Sequence, residues 1–213
     1  MIKVNPDHYK NYADDNFNII TTDINLEANS SKISFNGKDN VVVLGKNVNF
    51  KGNIQFEGDN GYLLIDDDSK FIGDIIIGGG GCSVRIGKNF DCVGHVFITV
   101  AEKTTVSIGN KCMFNGNIQI RTHDSHPIWD VNSHQRVNSS QSIHIGDKVW
   151  VGNSVKMLKG VSIGDNSIVG MDSVVTKNVP NNSLAVGIPA EIKKNNIFWT
   201  STSLTTKPFP DYD

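Results

Sequence analysis

Three of the six histidines fall in one stretch, Arg121 to Gln141, which reads RTHDSHPIWDVNSHQRVNSSQ. His123, His126 and His134 share it with Arg121, Asp124, Trp129, Asp130 and Arg136. His126 precedes Pro127, whose ring biases the residue before it toward extended backbone, so its imidazole is expected on a strand-like segment at the base of a loop. An imidazole titrates near neutrality and suits removal of a proton from an alcohol. Asp124, two residues earlier, is expected to orient it through the other ring nitrogen. On spacing alone, an ordinary loop histidine accounts for His126 equally well.

Metal binding is the rival chemistry for this cluster. His123 and His126 with Asp124 or His134 supply ligand types, but the spacing matches no zinc motif. His95 lies earlier in the chain and is a candidate to face the same groove, whereas His144 and His8 are expected to face solvent. Trp150 either covers apolar surface at a subunit contact or walls a ligand groove. No GxSxG nucleophile motif occurs, and Cys82, Cys92 and Cys112 fall on or beside apolar positions of the repeat described next. They read as buried small hydrophobes, so direct transfer between two bound substrates is the simpler mechanism.

The scaffold behind these residues is legible from Ile145 to Pro180, as six units of six: IGDKVW, VGNSVK, MLKGVS, IGDNSI, VGMDSV, VTKNVP. Ile145, Val151, Met157, Ile163, Val169 and Val175 open the units. Four places later stand Val149, Val155, Val161, Ser167, Ser173 and Val179. A period of six is neither the helical repeat nor simple alternation, but it fits a short strand, a bend and a repetition. Three faces then close one coil, with the opening aliphatics inside. Gly146, Gly152, Asn153, Gly164 and Gly170 are expected at bends with left-handed backbone. An aliphatic residue at the head of a Gly/Asp, Lys/Asp, Asn punctuation marks earlier coils at Leu44, Ile65, Ile86 and Ile108. The interval from Ile108 to Ile145 is two coils' worth of chain, within which a longer irregular loop is expected. Gly78 to Gly81 lacks the GxxxxGK[ST] pattern of a phosphate loop and reads as a corner.

The expected organisation is a polar lead-in over 1–16, a β-helix over 17–190 with an extruded loop at 121–141, and a tail over 191–213. Phe198 and Trp199 in the tail are expected to cover the last coil or reach a neighbouring subunit. With 213 residues, 38% of them hydrophobic, the chain suffices for one well-buried domain. A net charge of −2 argues against nucleic acid or a membrane surface as partner. The polar N-terminus carries no secretory pattern and no run is long enough to span a bilayer, so a cytoplasmic location is expected.

The hexads, the DSHPI segment and AVGIPAEI together resemble the left-handed β-helix acyltransferases of the hexapeptide-repeat family, from about residue 17 to about 200. The loop, ITVAEK at 98–103 and the IFW tail are most similar to bacterial capsular polysaccharide O-acetyltransferases, including those that act on polysialic acid. The resemblance implies an all-β left-handed parallel β-helix and an acetyl-CoA-dependent O-acetyltransferase without a metal. It also implies a homotrimer with sites between subunits. His126 is then the general base on the acceptor hydroxyl. Trp150 lies beside the thioester, its backbone or indole N–H steadying the oxyanion.

Cofactor contacts fall at Trp150, Asn153, Met171, Thr176 and Gly187. Glu191 departs from the basic residue many relatives carry for the nucleotide phosphates, a charge that Lys193 and Lys194 are expected to supply. His95, Arg121, Asp124 and Arg136 are expected to meet the acceptor. The two arginines suit a carboxylated sugar such as sialic acid, or are solvated loop charges. The alternatives are a streptogramin or chloramphenicol acetyltransferase on the same fold, a metal-dependent hydratase, or a non-catalytic β-helix.

Overall fold

The computed structural model describes residues 1–4, 9–10, 12–22 and 31–201. His8 and the last twelve positions therefore lie outside the described residues.

All twelve hexad positions are buried, from Ile145 and Val149 through Val175 and Val179. Each side chain points inward because the strand runs only two or three residues before the backbone turns. The described residues between the termini wind as a parallel β-helix with three faces. One face stacks Ile19–Thr22, Val41–Leu44, Tyr62–Ile65, Ser83–Ile86, Thr105–Ile108, Ile143–Ile145 and Ser162–Ile163 in parallel. The residues marked from sequence lie in a single register on it: Leu44, Ile65, Ile86, Ile108, Ile145 and Ile163 pair one to the next. The second face runs through Asp91–Cys92, Met113–Phe114, Trp150–Val151, Ile168–Val169 and Leu184–Gly187. The third runs through Val96–Val100, Ile118–Arg121, Lys156–Met157 and Val174–Val175.

Ile108 pairs directly with Ile145, so one coil lies between them and the rest of this double-length interval leaves it as the irregular excursion.

Gly146, Gly152, Asn153, Gly164 and Gly170 do not have the left-handed backbone expected of them; Lys148, Ser154, Asn166 and Asp172, each two residues after one of the glycines, do. Those glycines are needed because the next coil comes too close. A Cβ would lie 2.1 Å from Asp165 Oδ1 at Gly146 and 2.6 Å from the Met171 nitrogen at Gly152.

The wider early coils carry a different filling. Phe50, Phe71 and Phe90 stack along the interior with ring centroids 6.1 and 6.2 Å apart, and Phe114 meets Phe90 edge to face at 5.0 Å. The coils from Leu44 to Ile108 repeat at 21 or 22 residues and enclose the bulkier rings, while the 18-residue coil between Ile145 and Ile163 is filled by Val, Ile and Met. All three cysteines are free and buried in this core, as expected.

Ile2–Val4 and Tyr12–Ala13 pair antiparallel with Ser31–Phe35 and Ile19–Thr22, closing the first coil's edges. At the other end Ala190–Lys194 folds back antiparallel on Leu184–Gly187. Trp199 packs on Trp150 with centroids 5.9 Å apart and donates its indole N–H to the Lys148 carbonyl at 2.6 Å.

Candidate active site

The excursion leaves and rejoins the coil at a rigid root. Thr122 is fully buried, donates its N–H to Thr99, and accepts the Gln141 N–H on its carbonyl at 3.0 Å. Its hydroxyl also receives hydrogen bonds from the Ala101 N–H and the Thr104 hydroxyl. Between Thr122 and Gln141 the chain forms a short hairpin-like tip, with Trp129 bridged to Arg136 and Val137 N–H donated to Ile128.

Three side chains bolt this tip to the body. Arg136 forms a two-pronged ion pair with Glu102 on the preceding coil, and the Ser140 hydroxyl donates to the same carboxylate. Lys159, on the following coil, is ion-paired with Asp124 and donates to the Asn138 carbonyl at 3.0 Å. Asn138 is 6% exposed and donates to the His126 carbonyl at 2.8 Å and to Asp124 Oδ2 at 3.0 Å. Its oxygen accepts from Ile128 N–H at 2.7 Å and Arg136 Nε at 3.1 Å. None of Glu102, Asn138 and Lys159 was expected at the site. A usable signal existed: Glu102 precedes Thr122, and Lys159 follows Gln141, by roughly one coil, which places both beside the root.

The electrostatics follow from these pairs. Arg136 first, then Ser140, hold the Glu102 carboxyl down to about 2. Lys159 keeps Asp124 below the usual carboxylate range. Burial, reinforced by Arg121, lowers His123, whose Nδ1 accepts the Ser125 N–H.

His126 is exposed, and its ring makes no hydrogen bond among the described residues. Its backbone is not strand-like. The chain bends at Ser125 (φ 69°), and the His126 N–H closes onto the Asp124 carbonyl at 2.9 Å. Asp124 does not orient the imidazole, because its carboxylate is occupied by Lys159 and Asn138. Arg136 is likewise committed to Glu102 and is not the open cation expected for an acceptor carboxylate. Arg121 is: exposed, 5.8 Å from the Phe97 ring centroid, and in no ion pair among the described residues. His95 pairs through Nε2 with Asp74 Oδ2 at 3.0 Å. His144 is exposed, as expected, and its Nδ1 meets the Ser107 hydroxyl at 2.8 Å. His134 sits in the exposed tip, with φ 54°. Among the described residues no three of His, Cys, Asp and Glu come together as a metal site.

The expected cofactor residues line a different part of the coil. Asn153, Met171 and Gly187 succeed one another at the junction of the second and third faces. Asn153 O accepts Asp172 N–H, and Gly187 N–H is donated to the Ser173 hydroxyl. Met171 is 66% exposed, and Thr176 is exposed on the third face. Trp150 N–H is taken by the Ser167 carbonyl at 2.9 Å, so the ladder removes it as an oxyanion donor. Its indole N–H faces Asn115 Oδ1 at a long 3.4 Å. Lys193 is paired with Glu191 at 2.9 Å, leaving Lys194 and Lys177 as the exposed cations nearby. Among the described residues no hydrogen bond joins His126 to Trp150, whose partners include Asn115, Ser167 and Trp199. The excursion leaves where the third face passes to the first, whereas Trp150 lies on the second.

A family model described as bacterial transferase hexapeptide (six repeats) matches residues 142–177. The chain is similar to the polysialic acid O-acetyltransferase of Escherichia coli O1:K1 / APEC, 38% identical over 196 residues, covering 81% of this chain and 63% of that protein. It is also similar to the polysialic acid O-acetyltransferase of Neisseria meningitidis, 35% identical over 144 residues, covering 67% and 65%. The chain thus spans a little under two thirds of the length of these curated relatives. The crystal structure of the polySia specific acetyltransferase NeuO superposes with a TM-score of 0.79 at 38% identity, over 83% of this chain and 82% of that one. The coil is the left-handed β-helix of such structures.

Proposed function

The chain belongs to the bacterial hexapeptide-repeat transferases, and from that premise we propose that it is an O-acetyltransferase acting on a sialic-acid-containing surface polysaccharide. The observation that carries this reading is an exposed, unbonded imidazole on a braced loop, in a chain 38% identical to a polysialic acid O-acetyltransferase.

In the proposed reaction His126 accepts the proton of an acceptor hydroxyl as its oxygen attacks the acetyl carbonyl. As the carbon–sulfur bond breaks, the histidine gives that proton to the departing thiolate. Acetyl-CoA supplies the activated thioester. The ridge of Asn153, Met171 and Gly187, with Thr176, suits its pantetheine arm, since Met171 and Ile188 expose apolar side chains along it. Lys194 and Lys177, rather than Lys193, are the cations free to meet its phosphates. Trp150, braced by Trp199, would wall the reacting end. Arg121 is the cation suited to a sugar carboxylate, and His95 with Asp74 offers hydroxyl contacts.

The separation of His126 from Trp150 supports an assembly in which one chain's loop reaches the next chain's second face. A homotrimer with sites between subunits meets that requirement. A cytoplasmic location goes with use of acetyl-CoA. The test is release of CoA from acetyl-CoA in the presence of polysialic acid, with neutral glycans, chloramphenicol and a streptogramin as comparison acceptors. Turnover with a drug and with no glycan would overturn the assignment.

A further inference from the structure

Building on the reading of His126 as the base, we propose that Asn138 is its positioning residue. Pro127 has no N–H, so the first backbone donor after His126 is the Ile128 N–H, and the His126 carbonyl is the histidine's own free acceptor. The Asn138 side chain takes both. It donates to the His126 carbonyl at 2.8 Å and accepts from the Ile128 N–H at 2.7 Å. The N–H of His126 is already closed on the Asp124 carbonyl, so both backbone groups of the histidine are fixed. The ring itself has no hydrogen bond among the described residues, so this held backbone fixes the point from which it projects and the rotamers open to it.

The amide cannot be turned round. Its nitrogen faces two acceptors, the His126 carbonyl and the Asp124 carboxylate, and its oxygen faces two donors, the Ile128 N–H and Arg136 Nε. All four of its hydrogen-bonding positions are filled, and it is buried, so a change there is felt. Asn138 also collects the outer supports. Its carbonyl accepts from Lys159 at 3.0 Å and from Arg136 at 3.3 Å, which transmit the hold of the two flanking coils.

The experiment compares wild type with Asn138→Asp, which keeps shape and both acceptor bonds but loses the two donors. Asn138→Ala is the second variant, should the first fail to fold. With ¹³C-labelled histidine, the ring resonance of His126 is identified by its loss in His126→Ala and then followed in each variant. The proposal expects that resonance to shift or broaden, and kcat to fall by about ten- to a hundredfold, with the KM for acetyl-CoA within about twofold. A His126 resonance identical to wild type, whatever the rate does, would overturn it, as would a displaced resonance with kcat unchanged. The spectrum needs no acceptor. If wild type turns over no sugar while the resonance still responds to Asn138, the functional reading fails and the positioning relationship stands.

Discussion

Glu102 and Arg136, 34 residues apart in sequence, meet as a two-pronged ion pair that fastens the histidine-bearing excursion to the coil before it. Residue 102 sits at a corner and residue 136 near the end of the loop, so the pair shuts the loop against its own root.

The acid behaviour of this clamp follows from Glu102, which Arg136 and then Ser140 hold down to about 2 against an ordinary 4.5. A depressed carboxylate contributes order that is complete above the ordinary value and is lost as pH falls through the lower one. Trp129 emission, read against a Trp129→Phe background, should therefore stay native-like at about pH 5 and change only below about pH 4. Glu102→Gln should show the acid-like emission at neutral pH, with a lower kcat and an intact coil by circular dichroism. Native-like emission and rate in Glu102→Gln would mean the clamp is dispensable.

The buried thiols should be silent in the native state. Burial pushes Cys112 up to about 12 and Cys92 up to about 11, and it raises Cys82 as well. At about pH 8 all three are protonated and enclosed, so Ellman's reagent should find none until denaturant is added, and then three.

Close approach between coils, not backbone handedness, makes Gly152 necessary. Gly152→Ala would put a methyl 2.6 Å from the Met171 nitrogen, with rigid backbone opposing it. Overpacking of this kind costs about 1–3 kcal/mol, measurable as a lowered denaturant midpoint. An unchanged midpoint would contradict the spacing.

Separation of His126 from Trp150 within one chain makes a complementation test decisive for the assembly. His126→Ala and Trp150→Ala should each be nearly inactive, and co-refolding equal amounts should restore activity at about a quarter of the interfaces of a random trimer. No recovery in a mixture shown to contain both chains in one oligomer would place the site within a single chain.

The coil was legible because its rule is local: every residue from Ile145 to Val179 that the hexads assigned inward is buried, and Leu44 to Ile163 stack in one register. The loop was legible as the one place where the rule stops. Which side chains face which was not, because Glu102, Asn138 and Lys159 act through contacts made only when coils stack. For the same reason Asp124 and Arg136 read as open polar residues, when each already has a partner of opposite charge. The phenylalanine ladder also escaped the sequence reading, since its members sit a coil apart and each alone is simply one more core residue.

The most direct test of the central claim is CoA release from acetyl-CoA with polysialic acid as acceptor, wild type beside His126→Ala. The account predicts acceptor-dependent release that falls about 10²- to 10⁴-fold in the variant, the usual contribution of a positioned base. Equal release by both proteins would contradict the role of His126, and no release by wild type with any glycan would contradict the proposed reaction.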